Sequence, residues 1–220
     1  MPDMKRIEFL DRQLTSRDDR FLRLETLTVR NHYVDDTQSR DYHCDLVFAP
    51  GIDAVAVILF YRDGDRVLVG LTECVRPAVS LRRELPLIHP DSQVYLSLTE
   101  VVAGRLEDED KGEGGIDRRA ALEAFEEAGF AVRPDDAMEL GGGLFASPGQ
   151  SPEKIYFRAF EVDPTQQQTA PGDGSPMEAA HAMRFVELSE AITQCVGGEI
   201  EDPKAELGFR RLADRLEYGR

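Results

Sequence analysis

Three glutamates, Glu123, Glu126 and Glu127, stand at i, i+3 and i+4 in this chain. On a helix that spacing puts all three carboxylates on one face. Like charges so placed repel by about 0.2–0.5 kcal/mol per pair on an exposed helix, and a bound divalent cation would reverse the sign. Carboxylate oxygens are the donors that Mg²⁺ and Mn²⁺ prefer. An ion held there could neutralise charge building on phosphoryl oxygens and lower the pKa of a bound water. Taken alone, a glutamate triad is more often an ordinary solvated helix face, so its surroundings have to decide.

Those surroundings predict a helix over residues 118–128. Asp117 is a good N-cap, the alanines favour helix, and Gly129 is a good stop. Leu122 and Phe125, three apart, are expected to share a buried face with Ala121. An acidic, glycine-containing loop at 107–115 leads into the helix, after a predicted strand at 94–102. A calcium-loop reading from Asp108 fails, because the twelfth position, where a glutamate is required, is Arg119.

The elements that must position this helix follow from hydrophobic patterning. Residues 23–29 alternate as an edge-type strand would. Residues 54–61 form a continuous apolar run that reads as a buried strand, with turn chemistry at 62–65 and a return strand at 67–69. Residues 77–92 hold three prolines and read as a long loop. Strands are expected at 140–144, 155–162 and 185–188, a mobile loop at 164–177, and helices from Ser189 and over 203–218, the last with Leu207, Phe209, Leu212 and Leu216 on its apolar side. Strands mixed with helices in this order suggest an α/β or α+β sandwich.

The 220 residues carry a net charge of −16, which argues against sequence-blind binding to nucleic acid or an anionic membrane. An anionic ligand would need a metal ion or local arginines. Three cysteines, Cys44, Cys74 and Cys195, with no CxxC pair, fit a reducing compartment. The N-terminus lacks a signal-peptide stretch and the longest apolar run is too short to span a bilayer. A cytoplasmic protein is expected. The four histidines show no ligand spacing.

The segment Glu123-Ala124-Phe125-Glu126-Glu127-Ala128-Gly129-Phe130 resembles the second half of the Nudix box, and Thr99-Glu100-Val101-Val102-Ala103-Gly104 resembles its opening strand and glycine. Ser147-Pro148-Gly149-Gln150-Ser151-Pro152-Glu153 resembles the Ser-Pro-Gly stretch of the ADP-ribose and nucleoside-diphosphate-sugar pyrophosphatase branch, and Cys74-Val75-Arg76-Pro77 its Arg-Pro strand end. Two departures stand out. Leu122 occupies the place of the box arginine, for which Arg118 or Arg119, one turn earlier, could substitute. The spacing from Gly104 to Glu123 exceeds the usual one, which leaves the mid-box acid open between Asp110 and Glu113.

The resemblance implies an α+β fold, an α/β/α sandwich with a mixed central sheet, made of a Nudix domain over 51–220 and an N-terminal β extension over 1–50 that serves dimerisation. It implies Mg²⁺ or Mn²⁺ held by Glu123, Glu126, Glu127 and the Ala103 carbonyl, with Glu126 and Glu127 catalytic. Glu178, on the late loop, is the preferred base and Asp173 the other candidate. Substrate contacts fall to Arg76, Glu100, Ser147 and Gly149. The implied activity is hydrolysis of a small nucleoside-diphosphate sugar (ADP-ribose, UDP-glucose or a GDP-sugar) to a nucleoside monophosphate and a sugar phosphate, by a homodimer. UDP-glucose pyrophosphatases look most similar, through the 77–92 insertion and Asp202-Pro203-Lys204. The competing reading, suggested by Leu122, is a non-catalytic Nudix-fold sensor of nucleotide sugars.

Overall fold

The computed structural model describes residues 3–17, 21–172, 174 and 183–218. They fall into two compact units. The first, Met1–Asp53 with Leu144–Lys154, holds an antiparallel sheet of β1 (Met4–Leu14), β2 (Arg23–Tyr33) and β3 (Tyr42–Phe48), in the order β1-β2-β3. The strand expected at an edge is therefore the central one. Alternation reports that one face of β2 is buried, here Glu25, Leu27 and Val29. It is blind to whether one or both backbone flanks are paired, because pairing uses only main-chain groups.

The second unit comprises Ala54–Gly143 and Ile155–Arg220. Its elements are β4 (Ala54–Asp63), β5 (Arg66–Cys74), α1 (Pro77–Ser80), β6 (Leu98–Glu100), β7 (Val102–Arg105), α2 (Gly115–Glu126) and β8 (Met138–Glu139). After β9 (Leu144–Phe145), in the first unit, come β10 (Lys154–Glu161), β11 (Arg184–Glu187), α3 (Leu188–Gly197) and α4 (Pro203–Tyr218). The sheet runs β11-β5-β4-β10-β8, with β6 beside β5 and β7 beside β4. It is mixed: β10 is parallel to β4, while β5, β7 and β11 pair antiparallel with their neighbours.

The continuous apolar run of β4 is explained by cover on both faces. Val55, Val57 and Leu59 pack with Val102 and with Ala120, Ala121, Ala124 and Ala128 of and just after α2. The opposite face meets α4, where a Cβ on Gly208 would come within 2.4 Å of Ile58 Cδ1. Helices on both sides of a mixed sheet make the α/β/α arrangement expected.

Several expected boundaries move. The strand expected over 94–102 begins only at Leu98 and changes partner at Val101, since β6 pairs with β5 and β7 with β4. Residues 140–143 are not strand: Gly141 has φ 79°, which extended pairing does not allow. The 77–92 segment contains α1 and a 3₁₀ turn, Leu81–Glu84. Helix α2 starts at Gly115, two residues before the expected cap. A Cβ on Gly115 would sit 1.6 Å from the Asp110 carbonyl oxygen, so close backbone approach sets the start. Asp117 instead lies in the first turn and pairs with Arg158 of β10.

Candidate functional site

Helix α2 buries Ala120, Ala121 and Ala124 against the sheet. Leu122, expected in the core, is 41% exposed, and Phe125 is half-buried. Alanines win the interface because they let the helix axis approach the strands more closely than leucine or phenylalanine would. The same close approach draws in the neighbouring glutamate: Glu123 is only 9% exposed. The helix ends where Gly129, at φ 73°, lets the Gly129 and Phe130 N–H groups donate to the carbonyls of Phe125 and Ala124 at 2.9 and 3.0 Å.

Two carboxylates converge on β7. The Glu123 carboxylate lies against Gly104, where a Cβ would fall 1.8 Å from its Oε1. The Ala103 N–H donates to Glu127 Oε2 at 3.3 Å. Ala103 faces Ala56 across an antiparallel pair. In such a pair a residue's N–H and C=O point to the same side, so the Ala103 carbonyl also faces away from β4, toward α2. Glu126 is half-buried, and its main-chain carbonyl accepts from the Gly172 N–H at 2.9 Å.

Arg119, 8% exposed, organises the approach to Glu123. It donates to Asp110 Oδ2 at 2.7 Å and to Glu107 Oε2 at 3.0 Å, and its Nη1 stands 3.6 Å from Glu123 Oε1. Glu107 and Asp110 also cap each other across the 3₁₀ turn Asp108–Asp110. The extra loop length is thereby folded onto the helix. Burial disfavours the Arg119 charge, but the hydrogen bonds and charges of Asp110 and Glu107 outweigh it and hold the guanidinium protonated. Of the two acids left open by the sequence, Asp110 joins this arginine, while Glu113 contributes its main-chain carbonyl to Arg118 at 2.8 Å.

Arg76, at the end of β5, makes a bidentate contact with Glu100, Nε to Oε1 at 2.7 Å and Nη2 to Oε2 at 3.0 Å. Its pKa is raised, chiefly by the Glu100 hydrogen bond, and the Glu127 charge also reaches it. Glu100 is 4% exposed. Burial pushes its carboxyl up, but the Arg76 hydrogen bond and the Lys204 and Arg76 charges hold it below the ordinary value. Lys204 Nζ reaches Glu100 Oε2 at 3.2 Å and Asp202 Oδ1 at 2.9 Å. Sequence reasoning gave Asp202 and Lys204 no role in the site. The available signal was the Asp-Pro pair, with Asp202 preceding a proline at the first helical position.

Ser147 and Gly149 belong to the first unit, where the Ser147 carbonyl accepts from the N–H groups of Gln150 and Ser151, both at 2.9 Å. Glu178 and Asp173 lie outside the described residues.

The donor chemistry fits a hard divalent cation. Glu123, Glu127 and the Ala103 carbonyl offer oxygen only, and the Gly104 cradle keeps a side chain out of the space that the Glu123 carboxylate uses. Among the described residues no three His, Cys, Asp or Glu side chains stand together as a finished cage. No described helix is long and apolar enough to cross a membrane.

No protein-family model matches the chain, and no curated protein sequence matches it. A solved ADP compounds hydrolase superposes with a TM-score of 0.61 over 100% of this chain and 98% of that one, at 15% identity. The Nudix domain of Shewanella oneidensis NrtR, solved with ADP ribose, gives 0.45 at 14% identity over 77% of this chain and 90% of that one. A Caenorhabditis elegans Ap4A hydrolase gives 0.44 at 12% identity over 76% and 98%. The first likeness establishes the fold, and the other two are too loose to carry an argument.

Proposed function

We propose that this chain is a Nudix-type pyrophosphatase that hydrolyses the diphosphate bond of a nucleoside-diphosphate sugar, with Mg²⁺ or Mn²⁺ as cofactor. The observation that carries the reading is the convergence of Glu123 and Glu127 on the Ala103–Gly104 backbone, on an α+β fold shared with an ADP compounds hydrolase. Glu123, Glu126, Glu127 and the Ala103 carbonyl would hold the ion. When bound, it supplies charge neutralisation at the phosphoryl oxygens and an acidified water.

The remaining chemistry falls to the chain itself. Arg119 keeps Glu123 turned toward Gly104. Arg76 offers a planar cation to the diphosphate, with Glu100 holding its plane. Glu126 or Glu127 orients water, and Glu178, assigned on sequence alone, takes its proton. Ser147 and Gly149 are assigned to the substrate wall on the same basis. Substrates of this class are ADP-ribose, UDP-glucose and GDP-sugars, and the products are a nucleoside monophosphate and a sugar phosphate. We also infer a homodimer formed through the N-terminal sheet, whose strands expose Ile7, Phe9, Leu10 and Leu24.

The sensor reading draws on the exposed Leu122 in the arginine's place, but Arg119 meets the same glutamate from one turn earlier. A panel of ADP-ribose, UDP-glucose, GDP-mannose, ADP-glucose and diadenosine polyphosphates, with Mg²⁺ or Mn²⁺, tests the proposal. Release of a nucleoside monophosphate from at least one diphosphate sugar, abolished by chelator, is expected. Binding without turnover across the panel would establish the sensor instead. Glu178→Gln is expected to cut kcat strongly with metal affinity kept, and an unchanged rate moves the base elsewhere.

A further inference from the structure

The Arg76–Glu100 pair does not end at Glu100. Lys204 Nζ also touches Glu100 Oε2, at 3.2 Å, and Asp202 Oδ1 at 2.9 Å. Asp202 in turn accepts from the Lys204 N–H at 2.9 Å and from the Val101 N–H at 3.2 Å. Two cations and two anions thus alternate along one chain of contacts that joins the end of β5, the β6–β7 junction and the start of α4. The two carboxylates are the buried members, with side chains 6% exposed at Glu100 and 1% at Asp202, while Lys204 is 20% and Arg76 40% exposed. The arginine end is the most exposed member, and it uses two of its nitrogens on Glu100.

We propose that Lys204, clamped by Asp202, is a positioning residue that fixes the Glu100 carboxylate and through it aims Arg76 at an anionic ligand. This rests on the hydrolase reading above. A carboxylate that met Arg76 alone could turn about its last bond and carry the guanidinium with it. A second cation on Oε2, itself anchored to a helix start, removes that freedom. Lys204 keeps its charge, since the carboxylates of Asp202 and Glu100 outweigh the burial that disfavours the ammonium.

A network that merely staples α4 to the sheet would affect stability alone. The test therefore compares Lys204→Met, Lys204→Arg, Arg76→Gln and the double variant Lys204→Met/Arg76→Gln, with ADP-ribose and Mg²⁺, reading kcat, KM and thermal denaturation. Lys204→Met is expected to raise KM about tenfold with kcat nearly unchanged, in the range seen when groups behind a binding residue are removed. Lys204→Arg should recover most of that loss. The double variant should be no worse than Arg76→Gln, because the lysine acts through the arginine. If Lys204→Met does not fold, Lys204→Gln, which keeps a donor toward Glu100 without the charge, takes its place with the same expectation. An unchanged KM in a folded variant, or losses that simply add in the double variant, overturns the positioning role and leaves the hydrolase reading intact. A wild-type chain that neither binds nor cleaves any diphosphate sugar overturns both.

Discussion

The Glu123 carboxylate occupies the place where a side chain at Gly104 would be, with Oε1 1.8 Å from the position of a Cβ there. The glutamate is 9% exposed, and the same Oε1 stands 3.6 Å from Arg119 Nη1. Gly104→Ala therefore attacks the site rather than the fold, because the displaced atoms belong to the far end of a flexible side chain. Its Mg²⁺ requirement for activity should rise by roughly 10–100-fold, the usual effect of disturbing a ligand's support, while the thermal midpoint shifts little. A metal titration that superposes on the wild type would dissociate Gly104 from the metal site.

Glu127 takes a different path to the same place, through the Ala103 N–H at 3.3 Å. Glu127→Gln keeps the shape and an oxygen acceptor but removes the charge. Folding should survive, and turnover should fall by about 100-fold or more, beyond the range for second-layer groups. Near wild-type turnover would remove Glu127 from the proposed ligand set.

Arg119 is buried with Asp110, 2.7 Å away, and no other described cation serves that carboxylate. Arg119→Ala leaves Asp110, Glu107 and Glu123 facing one another. A loss of about 3–5 kcal/mol is expected, as when a buried ion pair loses one member, together with loss of activity. Denaturant titration reads the first and the diphosphate-sugar assay the second. Arg119→Ala with wild-type stability would show that the loop at 107–115 does not depend on this arginine.

The Glu100–Lys204 contact should contribute at both the acid and the alkaline limits of stability. The folded Glu100 pKa lies below its ordinary 4.5, so its contribution is complete above 4.5 and is lost as pH falls through the folded value. The folded Lys204 pKa lies above its ordinary 10.5, so its contribution is complete below 10.5 and is lost as pH rises through the folded value. Denaturation profiles over pH should show Glu100→Gln with a shallower acid limb and Lys204→Met with a shallower alkaline limb than wild type. Parallel profiles would mean that these charges are not what titrates.

Gly129 closes α2 at φ 73°, and a Cβ there would meet the Gln168 carbonyl oxygen at 2.0 Å. Gly129→Ala should cost at least about 1–2 kcal/mol from the left-handed backbone alone, or roughly 2–8 °C in Tm, with more from the clash with backbone that cannot easily yield. An unshifted Tm would mean that the turn into residues 130–133 repacks freely.

Much of this protein was legible in the sequence. The long apolar run at 54–61 gave β4, because a strand covered on both faces has no polar positions to interrupt it. Glycine after a helical pattern gave the end of α2, because few other residues adopt positive φ without strain. The spacing of Glu123 and Glu127, about one turn apart, brought those two carboxylates to β7, since 3.6 residues make a turn.

The tertiary structure decided what that side meets. Four alanines, not Leu122 and Phe125, form the seat of α2, because packing selects for closeness of approach as well as for apolar area. That closeness sinks Glu123 against Gly104, a contact between residues far apart in sequence that neither local pattern contains. Arg119 beside Glu123, and Lys204 behind the Arg76–Glu100 pair, are likewise matters of which side chains the fold brings within reach. A sequence states which charges exist and with what local period. Which of them neutralise one another depends on distances across the sheet, and those are set only when the core closes.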